Sequence, residues 1–275
     1  MLSFLQIAFI TLVLYLCAMK YKKRFDAGDH RKLKKNILFV LAHPDDECMF
    51  FEPTIQGMQK QANIHILVLS NGGWDGLGKI REKEMERAGK YQGFKDVTVL
   101  NDKRTGDNPG KHGQSPLEIW DLDNITLLVS QHIESMKEKG VEIETIVTFD
   151  HQGVSFHPNH IATHYGCLRL YLKGLFKGDL YTLETVPMWR KYIVFLDILL
   201  SRFDQVNYYL ASPFPACTAL ALHESQFVWY RKLFMGFSKY VYHNGLTYYP
   251  EFKNRNDNLA FVSKEETTEA VKSDL

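Results

Sequence analysis

Cysteine is scarce and scattered: Cys17, Cys48, Cys167 and Cys217 are the only four in 275 residues, and no C-x-x-C pair occurs. A disulfide scaffold and a thiolate zinc centre are thereby excluded, and a reducing compartment is compatible with what remains. Surplus charge is missing as well, because 33 Lys and Arg meet 32 Asp and Glu for a net +1. Coating nucleic acid requires a basic excess that displaces counterions, so no nucleic-acid partner is expected. Nucleotide signatures are absent too. The stretch Asn71-Gly72-Gly73 with Gly76 and Gly78 matches neither Gly-x-Gly-x-x-Gly nor a phosphate-binding lysine loop, and reads as a close-packed loop. No internal repeats occur.

What the chain does have is 45% hydrophobic and 24% charged residues, the balance of a folded domain, and enough length to bury a sizeable core. One apolar run, residues 2–19 (LSFLQIAFITLVLYLCAM), is near the shortest length that crosses a hydrocarbon core as a helix. Basic residues follow this run (Lys20, Lys22, Lys23, Arg24) and no A-x-A site ends it, so a single transmembrane helix is expected and not a cleaved signal peptide. A lipoprotein signal would want a small residue before Cys17, where Leu16 stands. The positive-inside tendency places the basic flank and the body in the cytosol. There the sequon Asn124-Ile125-Thr126 should stay bare. The terminal Lys272-Ser273-Asp274-Leu275 does not match a luminal retrieval signal. The expected organisation is a membrane anchor over 1–20, a basic linker over 21–35, a folded domain over 36–262 and a polar tail over 263–275.

Within the body, residues 36–42 (NILFVLA) are a continuous apolar run bounded by charge, which predicts a buried strand. Further strands are expected over 64–69, 97–100, 143–149 and 180–183. Helical spacing fills 52–61, 80–92, 125–139 and 160–172 between them. This alternation predicts an α/β fold, a mostly parallel Rossmann-like sheet with helices on both faces. Such sheets bind ligands at the carboxyl ends of their strands. His43-Pro44-Asp45-Asp46-Glu47 follows the first strand and Ser70-Asn71-Gly72-Gly73 the second. Asp150 and then His157-Pro158-Asn159-His160 follow the fourth.

Eleven histidines exceed what packing needs. His43, Asp45, Asp46, His157 and His160 together carry the donor types of a three-ligand metal site with an open position for water. Neighbouring carboxylates diverge in a loop, so one of Asp45 and Asp46 is expected to bind metal while the other takes a proton from water. Two apolar stretches are candidates for lipid contact. Residues 192–203 are too short and interrupted to span a bilayer. Residues 227–242 interleave aromatics with Arg231, Lys232 and Lys239, a composition suited to a membrane interface and also to a core helix.

Ala42-His43-Pro44-Asp45-Asp46-Glu47 together with His157-Pro158-Asn159-His160 resembles the LmbE-like, or PIG-L, family of zinc-dependent N-deacetylases. The likeness extends to Val147-Thr148-Phe149-Asp150, the helix start at Gly78, Arg81 and Glu84, Glu118-Ile119-Trp120-Asp121, and His223-Glu224-Ser225-Gln226. With the N-terminal run it is similar to the eukaryotic branch, which implies removal of acetate from a glycolipid, N-acetylglucosaminyl-phosphatidylinositol, at the endoplasmic reticulum membrane in GPI-anchor synthesis. Residue by residue, the resemblance implies His43, Asp46 and His160 as ligands of a divalent metal, Zn2+ by preference. It implies Asp45 as general base and His157 as oxyanion stabiliser or proton donor. Arg81 is expected as an anion clamp for the lipid phosphate, and Asn71, His223 and Gln226 as substrate-binding residues. Asn159 stands where bacterial relatives carry Asp, which leaves His157 without that charge; Asp150 is the expected substitute. A soluble acetylated sugar as substrate, or a sugar-binding module without turnover, are the alternatives.

Overall fold

The structure, a computed structural model, describes residues 3, 6, 9–17, 33–106, 120–200, 205–210 and 212–249. Five strands form where the apolar runs predict them: β1 (Asn36–Leu41), β2 (Asn63–Val68), β3 (Asp96–Val99), β4 (Thr145–Phe149) and β5 (Asp179–Leu183). They pair in parallel in the order β3-β2-β1-β4-β5. Every residue of β4 is buried, as are all but the first of β1, β2 and β5. Continuous runs without polar alternation are what a parallel sheet covered on both faces requires.

Two further strands, β6 (Val206–Tyr209) and β7 (His243–Tyr248), extend the sheet beyond β5 by antiparallel pairing. Neither is legible from periodicity. β6 is four residues long, and β7 contains Asn244-Gly245, a pair that ordinarily marks a turn. Here Asn244 is buried. Its Oδ1 accepts from Thr54 N–H at 3.2 Å and from the Thr54 hydroxyl at 2.9 Å, while its Nδ2 donates to the Phe50 carbonyl at 2.7 Å.

Helices α1 (Glu52–Met58), α2 (Gly78–Gln92), α3 (Leu122–Glu138), α4 (Pro158–Leu172), α5 (Phe214–Leu222) and α6 (Trp229–Phe237) supply the flanking layers. α3 opens on Asp121, whose carboxylate accepts from Asn124 N–H at 2.9 Å. α3 packs on α4 through Ile125, which lies so close to Gly166 that a Cβ there would meet Ile125 Cγ2 at 2.3 Å. α4 opens with His157 at the N-cap and Pro158 at its first position, where the missing N–H costs nothing.

The chain order creates the site. β1, β2 and β3 build outward in one direction, and β4 returns to the other side of β1. The loops leaving β1 and β4 therefore diverge and leave a crevice at their carboxyl ends, the switch point at which open α/β sheets bind ligands.

The transmembrane helix expected over 2–19 is not carried by the described residues. Among them no helix is long and apolar enough to cross a membrane. Tyr15 is buried and donates its hydroxyl to the Leu210 carbonyl, so this turn packs on the body. The rest of the expected linker up to residue 32 and the polar tail lie outside the described residues.

One buried carboxyl sets a pH dependence. Glu52 is fully buried, accepts from Gln56 Nε2 at 2.7 Å and from Gln92 Nε2 at 2.5 Å, and is pushed up to about 7, chiefly by burial. The folded chain thus holds this proton more tightly than the unfolded one, so stability falls as pH rises between the unfolded value and about 7. The loss is on the order of 3 kcal/mol at alkaline pH. Glu52→Gln should flatten this slope, read as urea midpoints of parent and variant at acidic and alkaline pH.

Candidate active site

A π-helical turn, Glu47–Phe51, follows β1 directly. The loop before it is fixed by Asp46, whose Oδ2 accepts from Ala42 N–H at 3.1 Å and His43 N–H at 2.8 Å. Its Oδ1 is left to face His160 Nε2 at 3.3 Å. Burial pushes the Asp46 carboxyl up, but His160 and His43 outweigh it and hold the group well below the usual carboxylate range.

Asp45 points elsewhere because its backbone has φ = +110°, a conformation that L residues avoid. Four neighbours hold it there. Its N–H donates to Glu47 Oε2 at 3.0 Å, and its carbonyl accepts from Cys48 Sγ and Met49 N–H, each at 3.1 Å. Arg81 clamps the preceding Pro44 carbonyl at 2.7 Å. The Asp45 carboxylate is 3% exposed as a residue and lies 3.6 Å from Arg81 and in contact with the Arg231 guanidinium.

From the β4 side, Gly153 at φ = +59° brings its carbonyl to His160 Nδ1 at 3.0 Å. A Cβ at Gly153 would meet His160 Cβ at 2.8 Å, so the turn admits only glycine. That bond assigns the proton of His160 to Nδ1 and turns Nε2 toward Asp46. The ring stacks on Phe149 at 4.1 Å and on His157 at 4.7 Å, and His43 meets His157 edge-on at 5.0 Å. One ring nitrogen from each of His43, His157 and His160 lies within 4.8 Å of the other two.

These donors suit a divalent ion. Three imidazoles converge, Asp46 lies beside two of them with Oδ1 3.3 Å from His160 and Oδ2 3.8 Å from His43, and the Nδ1 of His160 is already oriented by a carbonyl, the usual outer partner of a ligating histidine. His43 carries a second such partner. Its Nε2 lies 2.9 Å from the Asn159 amide, whose Oδ1 is buried with no hydrogen bond. Turning the amide by a half-rotation, equivalent in outline, lets Oδ1 accept from His43 Nε2–H and leaves Nδ1 facing Asp46 at 3.8 Å.

Several expected roles change. Asn159 orients His43 and not His157; only its N–H reaches His157, at Nδ1 and 3.3 Å. Asp150 is engaged by its own turn and by Thr185. It accepts from Thr185 N–H at 2.6 Å, the Thr185 hydroxyl at 2.5 Å and Gln152 N–H at 3.1 Å, and burial raises it nonetheless. Arg81 is buried on Gly72 and Pro44 carbonyls, tying the loops after β2 and β1 together, so it is not an exposed phosphate clamp. Asn71 donates to Glu82 at 2.7 Å. His223 is fully buried on Glu47 at 2.7 Å; burial opposes its charge, but Glu47, then Asp45 and Glu84, hold it above its ordinary value. Gln226 accepts from Arg231 at 2.5 Å.

The residues that motif reading passed over are Glu47 and Arg231. Glu47 stood within the His43 motif without a role, and Arg231 comes from α6, where no local pattern marks it.

The sequence profile of the PIG-L family, GlcNAc-PI de-N-acetylase, matches residues 38–171 and so contains both histidine motifs. The "Probable N-acetylglucosaminyl-phosphatidylinositol de-N-acetylase" of Schizosaccharomyces pombe is 36% identical over 249 residues, 86% of this chain and 95% of that protein. The N-acetylglucosaminyl-phosphatidylinositol de-N-acetylase of Bos taurus is 34% identical over 220 residues, 77% and 82% of the two chains. Among solved structures, the N,N'-diacetylchitobiose deacetylase of Pyrococcus horikoshii superposes with a TM-score of 0.53 at 14% identity, covering 83% of this chain and 90% of its own, a likeness of fold. With such identity sustained over nearly the whole of a relative's length, the chain belongs to the PIG-L family of GlcNAc-PI de-N-acetylases.

Proposed function

We propose that the chain hydrolyses the acetamide of N-acetylglucosaminyl-phosphatidylinositol to acetate and glucosaminyl-phosphatidylinositol, an early step of GPI-anchor synthesis. The observation that carries this reading is the match to relatives named for that activity across 86% and 77% of the chain. The crevice between the β1 and β4 loops supplies groups with the matching chemistry.

His43, Asp46 and His160 would hold the metal, and zinc suits two imidazoles with one carboxylate. The chemistry that a divalent ion would supply there is polarisation of the acetamide carbonyl and acidification of water. Asp45 takes the proton of the attacking water, being a carboxylate turned away from Asp46 by its own backbone. His157 serves the other side of the carbon. Its Nδ1 accepts from Asn159 N–H, so the ring proton sits on Nε2 and a neutral imidazole donates to the developing oxyanion without needing an acidic partner. As the carbon–nitrogen bond breaks, the proton collected by Asp45 passes to the departing sugar amine and acetate is released.

Substrate and sequence support a location at the endoplasmic reticulum membrane, with the apolar run at 2–19 as a single-pass anchor and the domain in the cytosol beside the basic flank. Acetate release from N-acetylglucosaminyl-phosphatidylinositol by the purified full chain tests the activity. Turnover should vanish with a chelator and return with zinc. Turnover of a soluble acetylated glucosamine with none of the glycolipid would overturn the substrate assignment.

A further inference from the structure

α6 presents an apolar face to solvent beside the catalytic crevice. Trp229 is 72% exposed, Tyr230 55%, Leu233 51% and Phe237 56%, whereas Met235 on the opposite face is buried. The neighbouring segment adds Met188, Trp189, Tyr192, Leu196 and Leu200, all exposed. Between them lies a groove of about 600 Å³ lined by Met49, Tyr192, Tyr230, Leu233, Phe234 and Phe237, with Arg231 as its one charged lining residue. Isolated exposed apolar residues need no explanation, but a contiguous patch of this kind marks a surface that something covers.

Three observations say what covers it. The groove is continuous with the reactive centre, because Arg231 lines it and also touches Asp45. An anionic group attached to apolar chains is the ligand that a guanidinium in the wall of an apolar groove recognises. The N-terminal apolar segment arrives at the same place. Tyr15 donates to Leu210, Leu210 N–H to the Tyr242 carbonyl at 2.8 Å, and the Tyr242 hydroxyl to Gly236 of α6 at 3.3 Å. Phe9, Leu12, Leu14 and Leu16 of that segment are exposed. Trp and Tyr at a surface edge with a lysine among them, here Lys232 over the Phe227 ring at 4.4 Å, are the composition of a bilayer interface.

We propose that α6 and the 188–200 segment are a lipid-docking face that sets the groove against the bilayer, and that Arg231 pairs with the phosphodiester of the glycerophospholipid whose chains lie in that groove. The phosphodiester half rests on the proposed function; the docking half does not. Docked in this way, the sugar beyond the phosphate reaches the crevice while the acyl chains lie in the groove at the bilayer surface. Arg231, engaged with Asp45 and Gln226 in the free chain, then acquires a competing anionic partner.

The N-terminal 20 residues contain no tryptophan, which makes the face directly readable in the full chain. In phosphatidylcholine vesicles with acyl chains brominated near the headgroup, tryptophan fluorescence should be quenched. In a Trp74→Phe background, which removes the exposed tryptophan of the loop after β2, the double variant Trp189→Phe/Trp229→Phe should lose most of that quenching, since only the buried Trp120 then remains. Absence of quenching in the parent chain, or its full persistence in the double variant, overturns the docking face whether or not the enzyme turns over. For the phosphodiester, Arg231→Gln should raise KM for N-acetylglucosaminyl-phosphatidylinositol roughly tenfold or more, the worth of a charged hydrogen bond. KM for N-acetylglucosaminyl-inositol, which has no phosphate, should rise less. An equal rise for both substrates removes Arg231 from phosphate recognition. Failure of the parent enzyme on both would overturn the proposed function and leave the fluorescence result standing.

Discussion

Asp45→Asn should lower kcat by about 10²–10⁴-fold while leaving bound metal at the parent stoichiometry. Asparagine has the same outline and cannot accept a proton, so the substitution removes the base, together with the negative charge that faces Arg81 and Arg231. The loop should survive it, because the positive φ of Asp45 is held through backbone atoms: its N–H on Glu47, its carbonyl on Cys48 and Met49, and Arg81 on Pro44. Asp46 keeps its own bonds to Ala42 and His43 N–H and its approach to His160. The expected loss corresponds to about 3–5 kcal/mol of transition-state stabilisation. Single-turnover kinetics with metal analysis on the same sample reads both quantities. Activity within a few-fold of the parent would move the base elsewhere, and loss of metal along with activity would make Asp45 a ligand.

Much of this site was readable before any coordinates, and the reason is local. A strand buried on both faces must be apolar throughout, so 36–42 and 143–149 announce themselves, and polar clusters directly after such runs lie at one edge of the sheet. The strand order is not local. Nothing in the chain states that β4 returns beside β1, yet that pairing turns two edge loops into one crevice. The far side of the sheet was hidden for a related reason: Asn244-Gly245 obeys turn statistics until Thr54 and Phe50, distant in sequence, give Asn244 its hydrogen bonds.

Side-chain assignments fared by the same rule. Residues in a motif could be placed at the crevice, whereas partners chosen by tertiary approach could not be named. Asn159 sits two residues after His157 but turns its amide to His43 across the crevice. Arg81 has the charge for a phosphate, and its guanidinium is consumed by Gly72 and Pro44 carbonyls. Arg231 looked like one basic residue in an aromatic stretch, and α6 carries it to Asp45.

The second large effect is expected at Glu47. This carboxylate is fully buried and bridges two groups, accepting Asp45 N–H on one oxygen and facing His223 Nε2 on the other. Glu47→Ala leaves His223 in a fully buried place without its counter-charge, the situation in which breaking a buried pair costs about 3–5 kcal/mol. It also releases one restraint on the strained Asp45 backbone, so kcat should fall beyond what lost stability explains. Glu47→Gln separates the two consequences. Its amide oxygen still accepts Asp45 N–H, which keeps the base in place, while the charge that holds His223 above its ordinary value is gone. The glutamine variant should therefore retain most of kcat and lose stability, and the alanine variant should lose both. In denaturant unfolding, the double variant Glu47→Ala/His223→Ala should be less destabilised than the sum of its single variants, because the second substitution removes the orphaned charge. Additive losses, or an alanine variant as stable as the parent, would show that Glu47 and His223 are neighbours without being partners, and that Asp45 keeps its place by other means.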